Sequence, residues 1–369
     1  MSDVQILVVV GTRPEAVKTA LLVRALQAQA WARVRVVATA QHRHLVEPVL
    51  RYFGVGVDRD LDLMALDQSP GDVVARALRA LEPVLVQERP DCVIAQGDTS
   101  TVLATALASF YRKVPFVHLE AGLRTHDAMQ PFPEEGHRAM VARVAAMHFA
   151  PTHLARDNLI REGIEPGCVH VVGNTVVDAL HFACERVDLG PWVPSDGRRL
   201  LLVTAHRRES FGQPLESICR AIARLADRPD VSVVFPVHPN PTVRDIVHRL
   251  LGPHPRVRLV EPLDYPDMVA VMSACHFVLT DSGGLQEEAP ALGKPVLVLR
   301  ATTERPEGIA AGAARLVGCD EHRIVAEATS LLDDHAAYSA MAVVRTPYGD
   351  GASCGRIVLH LRNRLLGES

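Results

Sequence analysis

Short apolar runs rich in β-branched residues recur along the chain, separated by helix-like segments. A run of four to eight apolar residues predicts a strand buried on both faces, and its alternation with helices predicts β-α units in a parallel sheet. The runs form two sets of six: residues 5–10, 34–40, 91–95, 115–119, 147–150 and 169–172, then 199–204, 231–236, 257–260, 276–280, 295–299 and 314–317. Between the sets, residues 187–197 carry glycines and prolines that break regular structure. The chain therefore reads as α/β, two doubly wound parallel-sheet domains facing each other across a cleft. Residues 1–175 make an N-terminal Rossmann-like domain and 176–352 a C-terminal one, and an amphipathic helix within 353–369 returns to the first. Ligands of such sheets bind beyond the carboxyl ends of the strands, so the strand ends are where chemistry is expected.

Composition narrows the class. At 369 residues the chain exceeds what one hydrophobic core usually serves, which agrees with two domains. With 48% hydrophobic residues, 22% charged and a formal net charge of -4, it reads as a soluble globular protein and gives no support for nucleic-acid binding. No window supplies the apolar length of a membrane span, and the first residues lack a basic region and a signal-type cleavage site, so a cytoplasmic location is expected. The seven cysteines form no C-x-x-C pair, which argues against a structural zinc, and Cys92 and Cys275 fall in or beside strand-like runs as buried thiols. No metal is expected.

The strand ends are polar. Asp281-Ser282-Gly283-Gly284-Leu285-Gln286-Glu287-Glu288 follows an apolar run and leads into a helix. Small residues at such a turn let backbone N–H groups approach a phosphate, and Glu287 or Glu288 suits a ribose diol. Gly11-Thr12-Arg13-Pro14-Glu15 follows the first strand, with Pro14 fitted to a helix start; Arg13 and Lys18 are candidate diphosphate contacts. The G-x-G-x-x-G and P-loop spacings are absent, so no NAD or ATP cofactor is expected. Asp98 and Glu120 end adjacent strands and suggest proton transfer, against the plainer readings of a helix cap and an ion pair with Arg124. Glu134 and Glu135 add carboxylates that also suit the first turn of a helix. His206, beside Arg207 and Arg208, and His238 close two strands of the second half, where a histidine can meet a diphosphate. Thr302 to Glu307 adds one more polar strand end.

Taken in order, GTRPEA, QHR, GDT, EAGLRT, PEE, GNTVVDAL, AHRRES, PVHPNP, DSGGLQEEAP, GKPVLVLR, TTERPE and PYGDG span nearly the whole chain. This set resembles the bacterial non-hydrolysing UDP-N-acetylglucosamine 2-epimerases. The resemblance implies a GT-B fold, a homodimer, and reversible conversion of UDP-N-acetylglucosamine to UDP-N-acetylmannosamine without a cofactor. By position, Asp98, Glu120 and Glu134 match the family's catalytic carboxylates and His206 a histidine implicated in catalysis. Arg13, Ser282 and Gly283 match the phosphate contacts, Glu288 the ribose contact, and Lys18, Arg207 and His238 further active-site positions, and the adjoining Gly284 is a further substrate-binding candidate. Gln41, His42 and Gln68 match residues that hold a second, activating UDP-N-acetylglucosamine in some relatives. The chain departs from the family at His137, where Asn is usual, at Gln96 for His, at Ala301 for Asp, and at Asp67 for an activating-site Arg.

The implied reaction removes the C2 proton while UDP leaves C1, giving a 2-acetamidoglucal to which UDP and a proton add back from the other face. The rival readings are a hydrolysing epimerase that releases free N-acetylmannosamine, an epimerase of a 2,3-diacetamido UDP-sugar, a GT-B glycosyltransferase, and a non-catalytic nucleotide-sugar sensor.

Overall fold

A computed structural model describes residues 4–39, 43–63, 65, 68–207 and 210–367, with the backbone alone described at 43–45. The chain divides into two compact units, Met1–Ala179 with Tyr348–Ser369, and Leu180–Pro347.

The first unit holds a parallel sheet of β1 (Val4–Val10), β2 (Ala32–Ala38), β3 (Arg59–Asp60), β4 (Cys92–Gln96), β5 (Phe116–Leu119), β6 (Met147–Ala150) and β7 (Val169–Val171), ordered β3-β2-β1-β4-β5-β6-β7. Six of these strands fall on the six predicted runs. The seventh, β3, is two residues long, Arg59 and Asp60, and has no apolar run to betray it. Chain order reverses between β1 and β4, which opens a crevice at their carboxyl ends. Leu7, Val9, Val93 and Ala95 of these two strands pack with Val102, Leu103 and Ala106 of the helix Ser100–Tyr111. That helix is apolar nearly all round because it lies between two others.

The carboxyl-terminal segment belongs to this unit. The helix Ser353–Leu366 packs on the helix Arg13–Gln27, and Asp178 accepts the N–H groups of Ser353 (3.2 Å) and Cys354 (2.9 Å), two of the donors every helix start leaves unpaired. The returning chain passes so close that a Cβ on Gly173 would lie 3.0 Å from the Gly349 Cα and 2.6 Å from the Ser353 hydroxyl. Gly173 also has φ +89°, which a side chain would resist.

The second unit repeats the plan with β8 (Arg199–Thr204), β9 (Val231–Pro236), β10 (Val257–Val260), β11 (Phe277–Thr280), β12 (Val296–Val298) and β13 (Ala314–Leu316), parallel and ordered β10-β9-β8-β11-β12-β13. All six match predicted runs. Leu201, Val203, Phe235, Phe277 and Leu279 are its fully buried centre. Here the order reverses between β8 and β11.

Candidate active site

In the first unit the residues after β1, β4 and β5 meet at the point where strand order reverses. Thr12 caps the helix Arg13–Gln27, with Glu15 completing the capping box. Arg13 is that helix's first residue. Glu15 is buried at 2% exposure; its carboxylate accepts the N–H groups of Gly11 (2.5 Å) and Thr12 (2.9 Å) and the hydroxyl of Thr99 (2.5 Å). It thereby ties the turn after β1 to the turn that carries Asp98. Burial pushes its carboxyl up to about 7, against the lowering effect of those donors.

Glu120, the residue after β5, is a hub. Lys18 donates to it at 2.6 Å, the Asn174 amide at 3.1 Å, and the Gln96 side-chain amide also bonds it. Its φ is +59°, a left-handed conformation that costs a residue with a side chain on the order of 1 kcal/mol or more. Three donors converging on one carboxylate offset that strain. The ion pair with Arg124, the plainer reading of Glu120, does not form. Arg124 instead makes a two-pronged pair with Glu162 at 2.7 and 2.8 Å, which frees Glu120 for Lys18, one helical turn beyond Arg13.

Asp98 is held by Arg138, whose guanidinium lies 2.7 Å away. The His137 ring nitrogen Nδ1 lies 2.8 Å from the Asp98 carbonyl oxygen. Thr99, not Asp98, caps the following helix, so the capping reading of Asp98 fails. The two neighbouring glutamates separate cleanly. Glu135 is buried, pairs with Arg138 at 2.7 Å and accepts the N–H groups of Thr125 and His126 at 3.1 Å, a framework role. Glu134, first residue of its helix, keeps a buried Oε2 without a hydrogen bond among the described residues. Beneath them His118 lies 2.7 Å by Nε2 from the Gly97 carbonyl oxygen. Burial lowers His118 to about 4 and its neighbour His148 to about 3, so both rings are neutral at pH 7.

In the second unit the turns after β8 and β11 are joined by Asp281, which is fully buried. Its Oδ2 accepts the backbone N–H groups of His206 and Arg207, both at 2.8 Å, and the hydroxyl of Ser210 at 3.3 Å. Ser282 then caps the helix Gly283–Ala291 without spending its side chain on that cap. The N–H groups at this helix start, including those of Gly283 and Gly284, have no intrahelical acceptor and are chemically suited to an anion. Gly283 is required for another reason: a Cβ there would lie 2.5 Å from Arg305 Nη1.

Arg305 is buried against Glu287 and, at 2.5 Å, Glu304; Glu304 also takes Arg300 at 2.8 Å and Arg207 at 3.4 Å. Glu287 therefore serves the framework, which corrects its candidacy as ribose acceptor. Glu288 remains, and accepts the Tyr265 hydroxyl at 2.9 Å. The rings of His206 and His238 stack at 6.0 Å, and His238 Nδ1 accepts the Asn240 N–H at 3.2 Å. Burial and the neighbouring His206 lower His238 below the usual imidazole range.

Of the proposed second-site residues, Gln41 and His42 lie outside the described residues, as do Asp67, Arg208 and Glu209. Gln68 donates to the Leu63 carbonyl at 3.0 Å. Reading the sequence missed the partners that aim the acids: Arg138, Asn174 and, in the second unit, Asp281 and Arg305. Their motifs are visible, but contacts made across 18 to 75 residues leave no local signal. Among the described residues no cluster of His, Cys, Asp or Glu is placed to hold a metal ion, and no helix is long and apolar enough to cross a membrane.

Residues 24–362 match the family model described as UDP-N-acetylglucosamine 2-epimerase. The chain is 46% identical over 371 residues to the UDP-N-acetylglucosamine 2-epimerase of Escherichia coli (strain K12), covering 97% of this chain and 98% of that protein. It is 47% identical over 370 residues to that of Salmonella typhimurium, with the same coverage. The crystal structure of UDP-GlcNAc 2-epimerase from Neisseria meningitidis bound to UDP-GlcNAc matches with a TM-score of 0.94 at 42% identity, over 97% of this chain and 99% of that one. The Methanocaldococcus jannaschii enzyme in complex with UDP-GlcNAc and UDP matches with a TM-score of 0.85 at 31% identity, with the same coverage. The fold is of the GT-B type, and with the family model matching across both units, the chain belongs to the UDP-N-acetylglucosamine 2-epimerase family.

Proposed function

We propose that this protein interconverts UDP-N-acetylglucosamine and UDP-N-acetylmannosamine by eliminating UDP to a 2-acetamidoglucal and adding it back, without hydrolysis. The C2 hydrogen of a pyranose is not adjacent to a carbonyl, so its direct removal and return is prohibitively slow. Loss of UDP from C1 changes this. As a carboxylate takes the C2 proton, the C2–H electron pair forms the C1–C2 double bond and the C1–O pair leaves on the diphosphate. Re-addition with a proton delivered to the other face inverts C2.

The observation that carries this reading is the acid cluster of the first unit: Asp98 gripped by Arg138, Glu120 by Lys18, and Glu134 with a buried oxygen left unbonded among the described residues. A reaction that takes a proton on one face and gives one on the other needs more than one carboxyl, and each must be aimed. General base catalysis contributes roughly 10²–10⁴-fold. Donors aimed at the leaving diphosphate are each worth about 10²–10³-fold; the start of the helix Gly283–Ala291, Ser282, Arg13 and His206 are the candidates, with Lys18, Arg207 and His238 assisting. Glu288 takes the ribose. That the Neisseria meningitidis and Methanocaldococcus jannaschii structures hold UDP-GlcNAc supports the substrate. We further propose that the enzyme is cytoplasmic and works as a homodimer, since Phe110 and Tyr111 stand exposed at the end of one helix of the first unit.

The test is incubation with UDP-N-acetylglucosamine alone, followed by NMR of the products. UDP-N-acetylmannosamine is expected. Free N-acetylmannosamine with UDP marks a hydrolysing enzyme, and unchanged substrate marks a transferase or a sensor.

A further inference from the structure

Asp281 is fully buried at the strand-order reversal of the second unit, and its two oxygens are used unequally. Oδ2 takes three donors from the turn after β8. Oδ1, buried and without a hydrogen bond among the described residues, lies 3.2 Å from His206 Nδ1. The separation is within hydrogen-bond range, so a small turn of the imidazole can complete the bond. The backbone of His206 is already fixed to the same carboxylate, which limits the ring to rotation about its own side-chain bonds. The ring also stacks with His238 at an interplanar angle of 12°. His238 accepts the Asn240 N–H at Nδ1, so in its neutral form its own proton sits on Nε2.

We propose that Asp281 is a positioning residue for His206: its Oδ1 takes the Nδ1–H, fixing the ring's tautomer and turning Nε2 toward the diphosphate of the substrate. This rests on the epimerase reading above. A histidine so held presents Nε2 as a lone pair when neutral and as an N–H donor when protonated, aimed where charge develops on the leaving UDP oxygen. In the elimination the C1–O electron pair passes to that oxygen and Nε2–H donates to it; in re-addition the oxygen attacks C1 and the donor is released. Asp281 itself exchanges no proton. The arrangement is one half of a carboxylate–imidazole pair, built from two strand ends that the sheet topology makes neighbours.

The experiment is a double-mutant cycle on the full chain with D281N, H206N and both together, assayed on UDP-N-acetylglucosamine. D281N is expected to lower kcat about 10²-fold with KM changed only a few-fold, and to cost little more in the H206N background, because an oxygen that acts through a ring has nothing to act on once the ring is gone. Equal losses in both backgrounds would overturn the inference and leave Asp281 a loop anchor only. If D281N does not fold, ¹⁵N NMR of histidine-labelled wild type decides. The His206 signal, assigned by its loss in H206N, should show the neutral ring protonated at Nδ1, and an Nε2–H tautomer sinks the proposal. Absence of wild-type turnover on UDP-N-acetylglucosamine would instead contradict the epimerase reading, while the tautomer measurement would still stand on its own.

Discussion

Lys18 Nζ lies 2.6 Å from Glu120 Oε1, with both side chains nearly buried. A lysine one turn into the helix after β1 thus reaches the residue that follows β5, over a left-handed backbone that no glutamate adopts without compensation. Removing one member of such a buried pair leaves the other charge uncompensated. Lys18→Met is therefore expected to lower kcat about 10²-fold, with UDP affinity little changed because the diphosphate is assigned mainly to the second unit. Steady-state kinetics and calorimetry with UDP check this, and an unchanged kcat would remove Glu120 from the mechanism.

Asp98→Asn keeps the shape of the side chain and one acceptor for Arg138 but removes the base. Turnover should vanish while UDP still binds. Near-normal rates in this variant would mean that the aspartate only secures Arg138.

Glu15 makes stability depend on pH in an unusual direction. Its folded carboxyl titrates near 7, above the 4.5 of an ordinary glutamate. Between those values the folded protein binds more protons than the unfolded chain, so the contribution is fully present below 4.5 and is lost as pH rises to about 7, on the order of 3 kcal/mol in all. Neutral, buried His118 and His148 act oppositely, losing stability as pH falls below 6.5. Comparing wild type with Glu15→Gln isolates the first effect, since Gln can still accept from Gly11 and Thr12 and donate to the Thr99 oxygen. Urea unfolding at pH 5 and pH 7 should show wild type losing more than the variant over that interval. Equal losses would mean that Glu15 is ionised throughout.

Gly283 and Gly284 should differ sharply. A methyl at 283 drives Arg305 off its buried partners Glu287 and Glu304, and breaking a buried pair costs roughly 3–5 kcal/mol. One at 284 meets Glu288 Oε2 at 3.4 Å and the Ser282 hydroxyl at 4.0 Å, both ordinary contacts. Gly283→Ala should lower the thermal midpoint and weaken UDP binding, whereas Gly284→Ala should leave the midpoint near wild type. Melting curves with and without UDP distinguish the two.

The fold was legible because a parallel sheet buried on both faces writes each strand as an unbroken apolar run, as 199–204 and 277–280 do. β3 escaped because two polar residues at an edge make no such run. Asp98, Glu120 and Ser282 could be found because they stand one or two residues past a strand, where ligands of open α/β sheets bind. Their partners could not be found. Arg124 looked like the mate of Glu120 by proximity in sequence, yet the chain brings Lys18 there from 102 residues away and gives Arg124 to Glu162. Glu134 and Glu135 are chemically alike in sequence, and only the neighbouring Thr125, His126 and Arg138 separate them. Glu287 and Glu288 are divided in the same way by Arg305 and Tyr265.

The most direct measurement is the isotopic fate of C2. Wild-type enzyme turning over UDP-N-acetylglucosamine in D₂O should yield UDP-N-acetylmannosamine carrying deuterium at C2, read by ¹H NMR and mass spectrometry. Epimerised product that retains its original hydrogen at C2 would contradict elimination and re-addition, and with it the roles given to Asp98, Glu120 and Glu134.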